Sequence, residues 1–125
     1  MIVLINLAAT LFLTGLAWSL QFVQLEVLQP EQLALHRRLN SRLMIAPMAI
    51  EFVTAVWLAC VEPRTLPVAA LVLWLAIAFA TLRYSHASRA ARIADLKFWN
   101  ALRTICWTAR SLLLAVILLE SPHAR

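Results

Sequence analysis

Glu51, Arg103 and Arg110 are charged side chains set within long apolar runs of this sequence. Glu51 is flanked by Ala49 and Ile50 on one side and by Phe52–Ala59 on the other. The two arginines lie in KFWNALRTICWTARS, Lys97 to Ser111, which leads into an uninterrupted apolar run from Leu112 to Leu119. Read as a helix, this stretch places Asn100, Arg103, Thr104, Trp107, Arg110 and Ser111 within one arc of about 120°. A carboxylate can accept a proton, and a guanidinium keeps its own and holds anions. The chemistry within reach is therefore proton acceptance at Glu51 and anion binding at the arginines. A structural, salt-bridged glutamate fits the same pattern. One carboxylate against two guanidiniums leaves a positive charge without a counterpart, and charge inside a membrane is costly unless compensated. An anionic ligand, a lipid phosphate, water or a neighbouring subunit would complete the site.

Helices must carry these groups to one place. Four apolar blocks stand out: Met1–Val27, Leu43–Val61, Leu66–Leu82 and Phe98–Leu119. Each is near or above the ~20 residues that cross a bilayer as a helix. The spacing predicts an all-α, four-transmembrane-helix bundle forming a single domain over residues 1–125, with membrane spans near 2–27, 43–61, 66–83 and 98–119. Of the 125 residues, 63% are hydrophobic and 14% charged, more apolar surface than a soluble domain of this size can hide. The first block lacks a basic leader and a small-residue cleavage pattern, so it reads as a retained helix rather than a signal peptide. The net charge of +5 arises from basic residues at helix ends and does not indicate nucleic-acid binding. Cys60 and Cys106 are isolated, which argues against a disulfide or a thiolate metal site. Met44 and Met48 read as helix-interface fillers rather than metal ligands, and no metal is expected.

The first helix carries Asn6, Thr10, Thr14, Trp18, Gln21 and Gln24 at three- and four-residue intervals, a polar stripe that lipid cannot satisfy. It reads as helix–helix contact or as one wall of a polar cavity. Gly15, off the stripe, is expected to permit close helix approach. Pro30 fits the first turn of a second helix. That helix begins amphipathically, with Arg37, Arg38 and Arg42 at the membrane surface, and Pro47 is expected to kink it. The third helix reads as lipid-facing support. The segment from Ser85 to Lys97 is expected to extend the fourth helix beyond the bilayer, as residues 31–42 extend the second. His36 and His86 fall in these surface segments and read as solvated, with a ligand or proton role as the alternative.

Counting ~1.5 Å per residue from the apolar boundaries puts Glu51 about 12 Å, Arg103 about 9 Å and Arg110 about 20 Å into the membrane. Gln21, on the antiparallel first helix, comes to about 10 Å. Gln21, Glu51, Asn100 and Arg103 are thus expected in one layer, with Glu51 paired to Arg103, and Trp18, Trp107 and Arg110 deeper. The basic residues cluster in the first and third connections. The positive-inside rule then places those connections in the cytoplasm and both termini outside, in the periplasm if the membrane is a bacterial inner membrane.

At these residues the chain resembles a family of small bacterial four-helix membrane proteins. The shared features are Trp18, Gln21, Gln24 and Pro30; Pro47 and Glu51; and an Asn-Trp-x-Arg-Thr-x-x-Trp-Thr-x-Arg motif matched by Asn100, Arg103, Thr104, Trp107, Thr108 and Arg110. Ala101 replaces the motif's first tryptophan, and Gln29 stands before Pro30 where an aromatic is commoner. The family is distantly similar to anthrone-oxygenase-like membrane proteins, and no activity is carried over from them. The polar layer and the unpaired positive charge make Trp18, Gln21, Gln24, Asn100, Arg103, Thr104, Trp107 and Arg110 the candidate ligand-binding residues, with Glu51 the candidate catalytic proton acceptor.

Three functions are compatible with these residues. The first is a small membrane enzyme, such as an oxidoreductase, or a binding protein for a hydrophobic anion such as a quinol, a phenolate, a fatty acid or another lipid. The second is a structural or assembly subunit of a larger membrane complex or homo-oligomer. The third, a transporter, is disfavoured because the polar layer does not continue into helix three. The sequence names no cofactor and no reaction.

Overall fold

The computed structural model describes residues 1–24, 29–61, 64–90 and 92–120. Helix α1 (Ile2–Ser19) continues through a π-helical turn over Leu20–Gln24. A 3-10 turn at Pro30–Gln32 opens α2 (Leu33–Val61). Helices α3 (Thr65–Arg89) and α4 (Ile93–Glu120) complete an all-α bundle. Four segments are long and apolar enough to cross a membrane, and the chain is a multi-pass membrane protein.

The local chemistry accounts for these elements. Proline at the third position of α3, Pro67, lies in the first turn, where its missing N–H leaves no bond unmade. Pro47 lies inside α2, and the helix runs through it without interruption. At the far end of α3 the chain turns on two backbone bonds, from the Ala90 N–H to the His86 carbonyl and from the Arg92 N–H to the Ala87 carbonyl, each 3.1 Å. The segment expected to extend α4 is thereby divided: Ser85–Arg89 belongs to α3, and α4 begins only at Ile93.

Three apolar layers hold the bundle, each drawn from several helices. Leu58, Ala70, Leu114 and Ile117 pack at one end, joined by Val3 and Leu7. Leu13, Ala17, Met44, Ile77 and Trp107 form the middle. Leu33, Tyr84, Ala87 and Leu96 close the end that carries the basic residues. Large apolar side chains such as Phe12, Phe52, Val72, Phe79 and Leu112 stay exposed, as expected of a surface solvated by lipid. Helix α3 is a full member of the core rather than a peripheral support, with Ala70, Ile77 and Ala80 essentially inaccessible. Gly15 does not mark a close helix approach: it is exposed, and a Cβ built there would meet nothing within 4 Å.

Candidate functional site

Two polar layers alternate with the apolar ones, and each is built around one arginine of α4. In the first, Arg110 is fully buried and every nitrogen of its guanidinium is used. Nη1 donates to Glu51 Oε1 at 2.7 Å and also to Thr10 Oγ1. Nη2 donates to Asn6 Oδ1 at 2.8 Å, and Nε donates to the Ala70 carbonyl at 3.2 Å. Trp107 Nε1 donates to the second carboxylate oxygen of Glu51 at 3.3 Å. Asn6 Nδ2 in turn donates to Thr54 Oγ1 and to the Glu51 carbonyl. One side chain thus ties together groups from α1, α2, α3 and its own helix. A planar five-donor fork suits this task, because each N–H points in a fixed and different direction.

The Glu51–Arg103 pair expected from depth is not formed. Glu51 pairs with Arg110, and the reason lies in where the helices begin. The depths count from the expected points of membrane entry, near Leu43 and Lys97. Helix α2 starts ten residues before Leu43, whereas α4 starts only four before Lys97. Counted from the helix starts, Glu51 lies ~27 Å along α2, Arg110 ~26 Å along α4 and Arg103 only ~15 Å. The two helices run in the same direction, so Glu51 and Arg110 come level.

The second polar layer surrounds Arg103, which is also fully buried. Its Nε donates to Asn100 Oδ1 at 2.8 Å, and Asn100 Nδ2 donates to Gln21 Oε1 at 2.8 Å and to the Ala17 carbonyl at 3.2 Å. The grouping of Gln21, Asn100 and Arg103 in one layer is therefore observed. Arg103 Nη1 reaches only Met44 Sδ, at 3.9 Å. The guanidinium carbon lies 4.1 Å from the Tyr84 ring centroid and 5.7 Å from that of Trp107. Tyr84 is fixed from its other side by a 3.1 Å hydrogen bond to His36 Nε2. Among the described residues three buried side-chain atoms have no hydrogen-bond partner: Trp74 Nε1, Ser88 Oγ and Arg103 Nη2. Only Arg103 Nη2 belongs to a charged group. A buried charged donor left unmade costs about 1–3 kcal/mol or more, which the aromatic faces offset in part.

Arg103 also forms part of the wall of a cleft of about 270 Å³ between α2 and α3. Met44, Ile45, Met48 and Leu82 give this cleft an apolar side, and Arg37, Asn40, Ser41, Thr81, Tyr84 and Ser85 a polar one.

Of the remaining expected site residues, Thr104 and Trp107 lie with the two layers, and Trp18 and Gln24 lie outside them. Thr104 is buried and returns its hydroxyl to the Asn100 carbonyl at 2.7 Å, a bond within its own helix. Trp107 is buried against Glu51, between the two arginines. Trp18 is 39% exposed, stacks on Phe22 and donates to Thr108 Oγ1 at 3.2 Å. Gln24 ends the π-helical turn and is half-buried. Asn6, Thr10, Thr54, Met44, Tyr84 and the Ala70 carbonyl also belong to the two layers. Asn6 and Thr10 were visible in the polar stripe of α1. Tyr84 and the Ala70 carbonyl bring α3 into the polar layers, against the expectation that these stop short of it.

Compared with protein-family models, curated proteins and solved structures, the chain matches none.

Proposed function

We propose that the protein binds an anionic amphiphile drawn from the bilayer, its head group on Arg103 and its chain along the apolar side of the α2–α3 cleft. The observation that carries this reading is the uncompensated guanidinium of Arg103 in the wall of that cleft. Arg110, by contrast, has its carboxylate and three further acceptors. In this reading Glu51 and Arg110 form the clasp that sets the register of the four helices, and Arg103 holds the ligand. Arg103 itself has no exposure, so the ligand reaches it past Met44, which touches Nη1 and lines the same cleft. Methionine, unbranched and with three rotatable bonds, moves aside at low cost. The membrane is read as a bacterial inner membrane, with the Arg37-bearing end of the bundle in the cytoplasm and both termini outside.

Mass spectrometry of protein extracted in mild detergent tests the proposal. Wild-type protein is expected to carry about one acidic amphiphile per chain, and Arg103→Met to lose it while remaining folded. Retention of the same amphiphile by Arg103→Met would overturn the reading.

A further inference from the structure

The cleft contains a second cation. Arg37 lies on the first turns of α2, is half-buried and has no carboxylate partner among the described residues. It lines the same cleft as Arg103, and among the described residues no acidic side chain lines that cleft. Two guanidiniums facing one space without a carboxylate call for more negative charge than a single fatty-acid head group supplies. The side-chain hydroxyls of Ser41 and Ser85 and the amide of Asn40 add neutral donors, whereas the Thr81 hydroxyl already donates to the Ile77 carbonyl at 2.8 Å. A tetrahedral group with several charged oxygens can use donors arriving from α2, α3 and α4 at once, whereas a planar carboxylate offers two oxygens in one plane. Guanidinium forks match phosphate oxygens as well as carboxylates.

The apolar side of the cleft continues from these donors through Ile45 and Met48, farther along α2. Polar lining from Arg37, Asn40 and Ser41 and apolar lining from Ile45 and Met48 succeed one another along a single helix, the order of a lipid head group followed by its chains.

Resting on the reading of Arg103 as the anion-binding residue, we infer that the ligand is a phospholipid with a phosphomonoester head group, its phosphate bridging Arg103 and Arg37. Phosphatidate-type chemistry is favoured over a fatty acid because of the charge count, and over a soluble phosphate because the apolar lining would otherwise meet nothing.

The test is a native mass-spectrometry titration of delipidated, full-length protein with dioleoyl phosphatidate, dioleoyl phosphatidylglycerol or oleate, with glycerol 3-phosphate as a water-soluble competitor. Phosphatidate is expected to bind about tenfold tighter than oleate, the difference one additional charge-assisted contact makes. Arg37→Gln should weaken phosphatidate about tenfold and oleate much less, so that the preference for phosphatidate is lost. Arg37 is half-buried and bonded to nothing described, so this variant is expected to fold. Phosphatidylglycerol, with one phosphate charge, should fall between the two. If oleate matches phosphatidate in wild-type protein, or Arg37→Gln leaves the preference intact, the phosphate assignment fails while Arg103 as an anion site stands. If glycerol 3-phosphate displaces phosphatidate at equal concentration, the ligand is a soluble phosphate and the lipid assignment fails. If Arg103→Met binds all three amphiphiles as wild-type does, the underlying reading fails with it.

Discussion

Arg110 and Glu51 meet 2.7 Å apart at a point where neither side chain has any exposure. Such a pair is strongly directional in a medium without water, and each remaining polar atom must be satisfied as well. Here they are: Thr10, Asn6 and the Ala70 carbonyl take the other donors of Arg110, and Trp107 Nε1 donates to the second carboxylate oxygen of Glu51. The network reaches all four helices, which makes it the polar counterpart of the apolar layers on either side.

Arg110→Met is expected to destabilise the protein by ~3–5 kcal/mol, because it leaves Glu51 buried and unpaired. Arg103→Met strands no charge but leaves the buried Asn100 Oδ1 without its donor, and should cost only ~1–2 kcal/mol. Unfolding in detergent, followed by thermal melts or by titration with a denaturing detergent, ranks the two. Equal losses would mean that the two arginines are held alike.

Arg110→Lys should recover little of the stability lost in Arg110→Met. The three guanidinium nitrogens donate in separate directions to α1, α2 and α3, and a single ammonium cannot reach all three. The same melts decide it: a lysine variant within ~1 kcal/mol of wild type would show that charge alone matters.

Asn6→Leu is expected to cost ~2–3 kcal/mol although it removes no charge. Asn6 Oδ1 accepts from Arg110, and its Nδ2 donates toward α2, so leucine leaves a buried charged donor unmade. Thr14→Val, in the same stripe but only half-buried, serves as the comparison and should cost ~1 kcal/mol or less. A melt in which the two variants behave alike would remove Asn6 from the clasp.

The orientation prediction uses a cysteine at Arg89 or at Arg64, each in a background lacking Cys60 and Cys106. Arg89 is exposed and open to reagent, whereas the neighbouring Ser88 is only 4% exposed. Impermeant thiol reagents applied to intact cells should label position 64 and spare position 89, the cytoplasmic end under the positive-inside rule. Labelling at 89 but not at 64 would invert the topology.

Four helices were legible because membrane spans are long apolar blocks, separated by connections of which the first and third are basic. The Gln21, Asn100 and Arg103 layer was legible for a related reason. These residues lie near the ends of adjacent antiparallel helices, where an error in the counted depth stays small. The partner of Glu51 was not legible. Apolarity marks where a helix enters lipid, but register is set by where the helix starts and by what packs, and the amphipathic residues 31–42, although read as helix, lay outside the depth count that began at Leu43. The Ala70 carbonyl illustrates a stricter limit, since a backbone acceptor contributes no side-chain pattern to read. Tyr84 had a visible side chain, but its place beneath Arg103 depends on α3 continuing to Arg89, well past the last residue of its apolar block.

A pair of double-mutant cycles separates the two registers directly. In the first, Glu51→Gln is combined with Arg110→Met. Each single change strands one member of the ion pair, and the double change strands neither, so the double variant should be less destabilised than the sum of the singles by about 1–3 kcal/mol. In the second, Glu51→Gln is combined with Arg103→Met. These residues belong to different polar layers, seven residues of α4 separate the two arginines, and the effects should add to within ~0.5 kcal/mol. Glutamine keeps the size of Glu51 and a carbonyl acceptor for Trp107 or Arg110, so packing is nearly constant across both cycles and the difference reports charge. Coupling in the second cycle with additivity in the first would restore the Glu51–Arg103 pairing that helix depth alone predicts. It would also leave Arg110 as the unpaired cation and move the proposed ligand site one polar layer along the bundle.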